Sequence, residues 1–254
     1  MADVSRTRRR QAVRLDEEFD RAAGRYDLLT RLNPGYHASL RAAATDLVRS
    51  LPTGHLTLWD LGCGSGLSTG ALVEAAGPQA RIVGLDASAG MLAQALAKDW
   101  PPGVSFVHAP AQELPAVAAA EVDGPADGVL AAYLLRNVHA EQRDEVVAAI
   151  VDQVRPGGWV ALQDYHVKGD RRAAFTWSAV CRLVVTPLAA ITRGNPAIYA
   201  YLRRSVLDND STAELEGRLR RAGLTDLRRS TPRGWQRGIL HTVLARRPLE
   251  GEVV

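Results

Sequence analysis

Cysteine is scarce in this chain of 254 residues, with Cys63 and Cys181 as its only two. They show no metal-ligand spacing, so no disulfide framework and no zinc or other metal site is expected, and a reducing cytoplasm fits. An apolar signal region is also missing, because Met1-Ala2-Asp3-Val4-Ser5-Arg6 is too polar to be a secretory leader. A membrane span is the tempting reading of residues 174–191. Arg182 in the middle, Pro187 and a helical face pattern argue against it. No basic stripe interleaved with aromatics runs through the body, so nucleic acid is not an expected partner. Internal repeats and low-complexity segments are absent too.

Charge is unevenly spread. Five of the 31 basic residues (Arg6, Arg8, Arg9, Arg10 and Arg14) but only one of the 28 acids, Asp3, lie within residues 1–14. The remaining 26 bases and 27 acids leave a nearly neutral body. The tail reads as a solvated, flexible arm or as a peripheral hold on anionic lipid at the inner face of a membrane. Residues 15–254 then form one domain, whose 46% apolar content suffices for a sizeable core.

The stretch that organises the chain is Leu56-Thr57-Leu58-Trp59-Asp60-Leu61-Gly62-Cys63-Gly64-Ser65-Gly66. It reads as a strand buried on both faces that enters a glycine-rich turn. Glycines let the backbone turn sharply and let a ligand approach without meeting a Cβ. The helix expected over Ser68–Ala76 aims its N-terminus at that ligand. A second strand, Arg81–Asp86, ends in a carboxylate 20 residues after Gly66, the offset at which an acid meets a ribose in Rossmann-type sheets. Asp60 and Asp86 flank the loop, and no basic residue lies in it to meet a phosphate. That balance favours S-adenosyl-L-methionine over a dinucleotide.

Strand and helix patterns alternate through the fifth strand, Trp159–Tyr165, which predicts an α/β fold around a parallel sheet. Ligands of such sheets bind at the carboxyl ends of the strands. The loops after Gly62, Asp86, Ala109 and Tyr133 should therefore converge. Residues 116–126 read as loop, and a turn at Pro156-Gly157-Gly158 precedes the fifth strand. Residues 171–207 form a mostly apolar insertion, read as a helical lid. Ser211-Thr212-Ala213-Glu214 is a capping box. Tyr26-Asp27 and Asn33…Tyr36-His37 precede the first strand, where a lid over the cofactor would sit. His37 is a substrate-binding candidate, although a lone histidine by a turn is more often structural.

Several stretches together carry a resemblance. They are Phe19-Asp20 with Tyr26-Asp27, Asp60 to Gly66, Gly84-Leu85-Asp86-Ala87-Ser88 with Met91-Leu92, Glu113-Leu114-Pro115, Leu135-Arg136-Asn137-Val138 and Arg155-Pro156-Gly157-Gly158. In these the chain resembles the ubiquinone/menaquinone C-methyltransferases, within the class I S-adenosylmethionine-dependent methyltransferases. The resemblance implies a seven-stranded sheet with helices on both faces and its last strand antiparallel. It implies cofactor contacts at Tyr26, Ser65 and Asp86. Asp60, Gly62, Cys63, Gly64, Gly66, Ala87, Met91, Pro110, Ala111, Ala132 and Tyr133 complete the candidate cofactor set. Two positions depart from the family pattern: Pro110 stands where an Asp or Asn is usual, and Ala132 where a Ser is common.

Arg136 and Asn137 are the catalytic candidates. Tyr133, Arg136, His37 and Tyr165 are the candidates for holding a lipophilic aromatic acceptor. The expected reaction is C-methylation of a prenylated quinol beside a ring hydroxyl. Another lipophilic phenol, polyketide or terpenoid is the alternative acceptor, and a non-catalytic cofactor-binding protein is the minor one. A salt bridge is the structural alternative for Arg136. A homodimer is a further expectation.

Overall fold

The computed structural model describes Thr30, Asn33 and residues 35–121, 124–187 and 196–252. Tyr26, the basic arm and part of the expected lid lie outside these residues.

The first helix, α1, is Tyr36–Arg49, and it buries Tyr36, Leu40, Ala43, Ala44 and Leu47 on one stripe. Strand β1 is Thr57–Leu61, followed by α2, Leu67–Ala76, β2, Arg81–Asp86, and α3, Ala89–Leu96. Ser88 caps α3 by accepting from the Met91 amide at 3.1 Å. Then come β3, Val104–His108, α4, Leu114–Glu121, β4, Ala126–Ala132, α5, Arg143–Asp152, and β5, Val154–Tyr165.

Two expectations are corrected here. The stretch read as loop from 116 is helical through Glu121. Its alanines favour helix but carry almost no amphipathic signal. Strand β5 begins at Val154, before the expected turn, and pairs with β4 across a register shift between Ala126 and Gly128. Gly157 at φ 81° lets the strand pass through that irregularity.

The sheet order is β3-β2-β1-β4-β5-β7-β6, where β6 is Thr225–Ser230 and β7 is Leu240–Arg246. All neighbours are parallel except those of β7, which runs antiparallel to both β5 and β6. Strand order reverses between β1 and β4, so a crevice opens at their carboxyl ends. Along β1, side chains alternate between the two faces. Leu58 packs with Leu40, Leu47 and Ile82 of one core layer, while Trp59 and Leu61 pack with Val83, Val147 and Ile150 of the other.

The region after β5 holds α6, Arg171–Val180, a π-helical turn, Cys181–Val185, and α7, Pro196–Leu207. Ala173, Trp177 and Cys181, four residues apart, form the buried side of α6 and the π turn. Helix α8, Thr212–Arg221, opens with the expected capping box: Ser211 Oγ accepts from the Glu214 amide, and the Glu214 carboxylate accepts from the Ser211 amide. Among the described residues no helix is long and apolar enough to cross a membrane.

Candidate active site

The carboxyl ends of β1, β2 and β4 form one pocket. Its floor is the glycine loop. Gly62 and Gly64 sit at φ 71° and 55°, a region that side chains other than glycine enter at a cost. A Cβ on Gly64 would stand 3.0 Å from Met91 Cε, which also lines the pocket. The loop is tied down from below. The Gly62 and Cys63 amides donate to Leu85 O, Lys98 Nζ donates to Ser65 O at 2.7 Å, and Trp100 packs under Gly66.

Asp86, at the end of β2, holds two backbone amides. Its Oδ2 accepts from Gly64 N and its Oδ1 from Ser88 N, each at 2.8 Å. A carboxylate oxygen has a second lone pair, so both oxygens can still accept from a diol. The same acid thus shapes the loop and faces the pocket.

Cys63, Ser65, Ala87 and Met91 also line the pocket, and Pro110, Ala111, Ala132 and Tyr133 close its far side. Burial and the acids Asp60 and Asp86 push the Cys63 thiol up, so it stays neutral. Asp60 does not line the pocket. It is fully buried one layer behind, where its Oδ2 accepts from Ser68 Oγ at 2.8 Å and Thr69 Oγ1 at 2.6 Å. Desolvation pushes its carboxyl up to about 7, against the two hydroxyls that favour its charged form. Gly66 also stands off the pocket, because its role is to begin α2 at φ 85°.

The opposite end is built by side chains. Tyr133 leaves β4 at φ 59°, a left-handed conformation rare for a bulky residue. Its carbonyl meets the side chains three and four positions on. Tyr133 O accepts from Arg136 Nη1 and from Asn137 Nδ2, both at 3.0 Å. Asp164 of β5 accepts from the Arg136 amide at 3.2 Å and faces its Nη1 at 3.5 Å, with both side chains almost wholly buried. Tyr201 of α7 donates to Asn137 Oδ1 at 3.1 Å. Arg136 is therefore both a wall of the pocket and half of an ion pair.

Tyr36 stacks on Tyr133 at 5.1 Å between centroids, which gives this end an aromatic face. Tyr165 stands behind that face. Its ring lies between Tyr133 and Trp177, and its hydroxyl accepts from Gln236 Nε2 at 3.4 Å. His37 packs edge-on against Tyr36, away from the lining. Tyr36, Asp164 and Tyr201 were missed as site residues. Tyr36 had its place just before the first strand as a signal and Tyr201 its place in the stretch Pro196…Tyr199…Tyr201-Leu202…Ser205, which also looks like the family, whereas Asp164 had none.

A family described as a methyltransferase domain matches residues 59–158. A demethylmenaquinone methyltransferase of Mycolicibacterium vanbaalenii is 32% identical over 83% of this chain and 86% of its own length. The chain belongs to the ubiquinone/menaquinone C-methyltransferase family. A 2-phytyl-1,4-naphtoquinone methyltransferase of Synechocystis is 32% identical over 74% of this chain and 77% of its own. Among solved structures, a 1,6-didemethyltoxoflavin-N1-methyltransferase of Burkholderia thailandensis shares the fold. The TM-score is 0.59 at 19% identity, over 92% of this chain and 87% of that one.

The protein is an S-adenosylmethionine-dependent methyltransferase. Its pocket suits that cofactor. Among the described residues the charged side chains lining it are Asp86, after β2, and Arg136, after β4, so the glycine loop itself offers a ligand a carboxylate and no cation.

Proposed function

We propose that the protein C-methylates a prenylated quinol of the demethylmenaquinol type, at the ring carbon beside a hydroxyl. The observation that carries this reading is the partly buried Arg136–Asn137 pair, which lines the pocket beyond Tyr133 and is held there by Asp164 and Tyr201. The names of the relatives from Mycolicibacterium and Synechocystis support it.

Bound S-adenosyl-L-methionine supplies an electrophilic methyl group. The chain has to make the acceptor carbon nucleophilic and hold it in line. A phenol with a pKa near 10 costs ~4 kcal/mol to ionise at neutral pH. Arg136 would offset part of that by holding positive charge where the phenolate forms. Asp164 fixes the guanidinium and tempers its charge, so the offset is partial. Asn137, anchored on Tyr133 O and Tyr201, keeps an amide at the ring edge. The stacked Tyr36 and Tyr133 rings give the acceptor a flat face to lie on, and orientation of this kind lowers the barrier further.

The test is to incubate the protein with lipid extract and isotopically labelled S-adenosyl-L-methionine, then read the products by mass spectrometry. Label on a ring carbon of a prenylated quinol is the expected result. Label only on a water-soluble phenol, or on oxygen, overturns the reading.

A further inference from the structure

The outer face of α6 and its π turn is the part of the surface that the site does not explain. Among the described residues five large apolar side chains are strongly exposed, and three of them, Phe175, Leu183 and Val184, fall within ten residues. Phe175 and Leu183 are each 76% exposed. Soluble surfaces seldom gather such side chains in one place without a partner.

Their neighbours say what the partner is. Arg171, Arg172 and Arg182 lie on the same segment and are exposed. Residues 171–187 contain no acid at all. None of the three arginines forms an ion pair with another described residue, although most arginines of α8 and β7 do. The segment thus exposes apolar side chains beside three arginines, with Asp170 at its N-cap as the one adjoining acid. That is the pattern of a helix lying in a lipid interface, with its apolar side chains in the acyl region and its guanidiniums among anionic headgroups. A second protein copy would bring the same three cations against themselves.

The inner side of the same segment leads to the pocket. Trp177 contacts Tyr165 at 4.9 Å between centroids, and Tyr165 contacts Tyr133 at 5.4 Å. Seating the outer side on a bilayer holds the pocket's aromatic wall one ring layer from the docked helix.

We infer that the exposed face of Arg171–Val185 docks on an anionic phospholipid bilayer. The inference rests on this surface alone and stands whichever acceptor the enzyme methylates.

The test uses the full chain, its N-terminal arginines intact, and vesicles without cofactor or acceptor. Flotation with phosphatidylcholine–phosphatidylglycerol vesicles is expected, with little flotation on phosphatidylcholine alone and release by salt. Replacing Arg171, Arg172 and Arg182 by serine should lower the partition coefficient roughly fivefold per residue. Phe175→Ser with Leu183→Ser should lower it by about tenfold or more. Hydrogen exchange on the unmodified protein should show protection of Arg171–Val185 when anionic vesicles are added, which needs no variant to fold. Three results overturn the inference. The first is no binding to the anionic vesicles. The second is binding that both variants retain without protection of this segment, which assigns it to the N-terminal arginines. The third is a dimer in solution that Leu183→Ser dissolves, which assigns the face to a second copy.

Discussion

At the cofactor end, the pocket is walled by backbone. Gly62, Gly64 and Ser65 are pinned by neighbours within about thirty-five positions in sequence, and one acid, Asp86, organises the loop. At the acceptor end it is walled by side chains whose partners come from far along the chain. Arg136 depends on Asp164 and Asn137 on Tyr201. The first end is a fixed cradle for an invariant cofactor. The second is a set of coupled side chains, and under the proposed function it is the end that meets the acceptor.

The sharpest way to break this comparison is Asp164→Ala. It touches no pocket surface, yet it strands a buried guanidinium and should cost about 3–5 kcal/mol of folding stability, read as a fall in the urea midpoint. A small cost would show that the acceptor end does not depend on its distant partner.

Behind the cofactor end, Asp60 gives a pH signature. Its carboxyl stands at about 7 in the fold against an ordinary value of 3.8. Between those values the folded protein holds a proton that the unfolded chain releases, so this group makes stability fall as pH rises from about 4 to 7, then level off. The loss is about 4 kcal/mol at most. Asp60→Asn should flatten that slope in chemical denaturation at a series of pH values. An unchanged slope would mean that Asp60 is ionised in the fold.

Arg136→Ala should slow methylation by ~10²–10³-fold while leaving cofactor affinity nearly intact. Lysine should rescue only partly, because it offers a point charge without the planar guanidinium. The gap to the parent enzyme should narrow as pH rises from about 7 to 9.5, because solvent then ionises more acceptor unaided. A constant gap with a folded variant would reduce Arg136 to its ion pair.

Asp86→Ala has the mirror effect, a loss of roughly 2–4 kcal/mol in calorimetric affinity for S-adenosyl-L-methionine or its demethylated product. Unchanged affinity would remove Asp86 from the cofactor site. Smallest is Tyr201→Phe, which deletes one hydrogen bond to Asn137 and should cost ~1 kcal/mol of stability with a modest fall in turnover. A fall as large as that of Arg136→Ala would make Tyr201 part of the chemistry.

The same contrast governs what the sequence revealed. The glycine spacing, Asp86 and the strand–helix alternation are local patterns, and they were enough to expect the mostly parallel sheet and a loop cluster at its carboxyl end. Asp60 shows the limit. Its place beside the loop was legible, but the face its side chain takes depended on Ser68 and Thr69 standing there to bond it. Asp164 was invisible because its meaning lies in a residue 28 positions away on the neighbouring strand's loop. The helix at Leu114–Glu121 escaped because alanine gives no amphipathic stripe to read.

Tyr133 carries a consequence of its own. An aromatic residue held left-handed costs of order 1–3 kcal/mol, and glycine would remove that cost. Glycine would also remove the ring that stacks on Tyr36. Screens for heat tolerance should therefore favour small or flexible residues at this position and return enzymes that survive longer and methylate worse. A programme to toughen this protein has to exempt position 133.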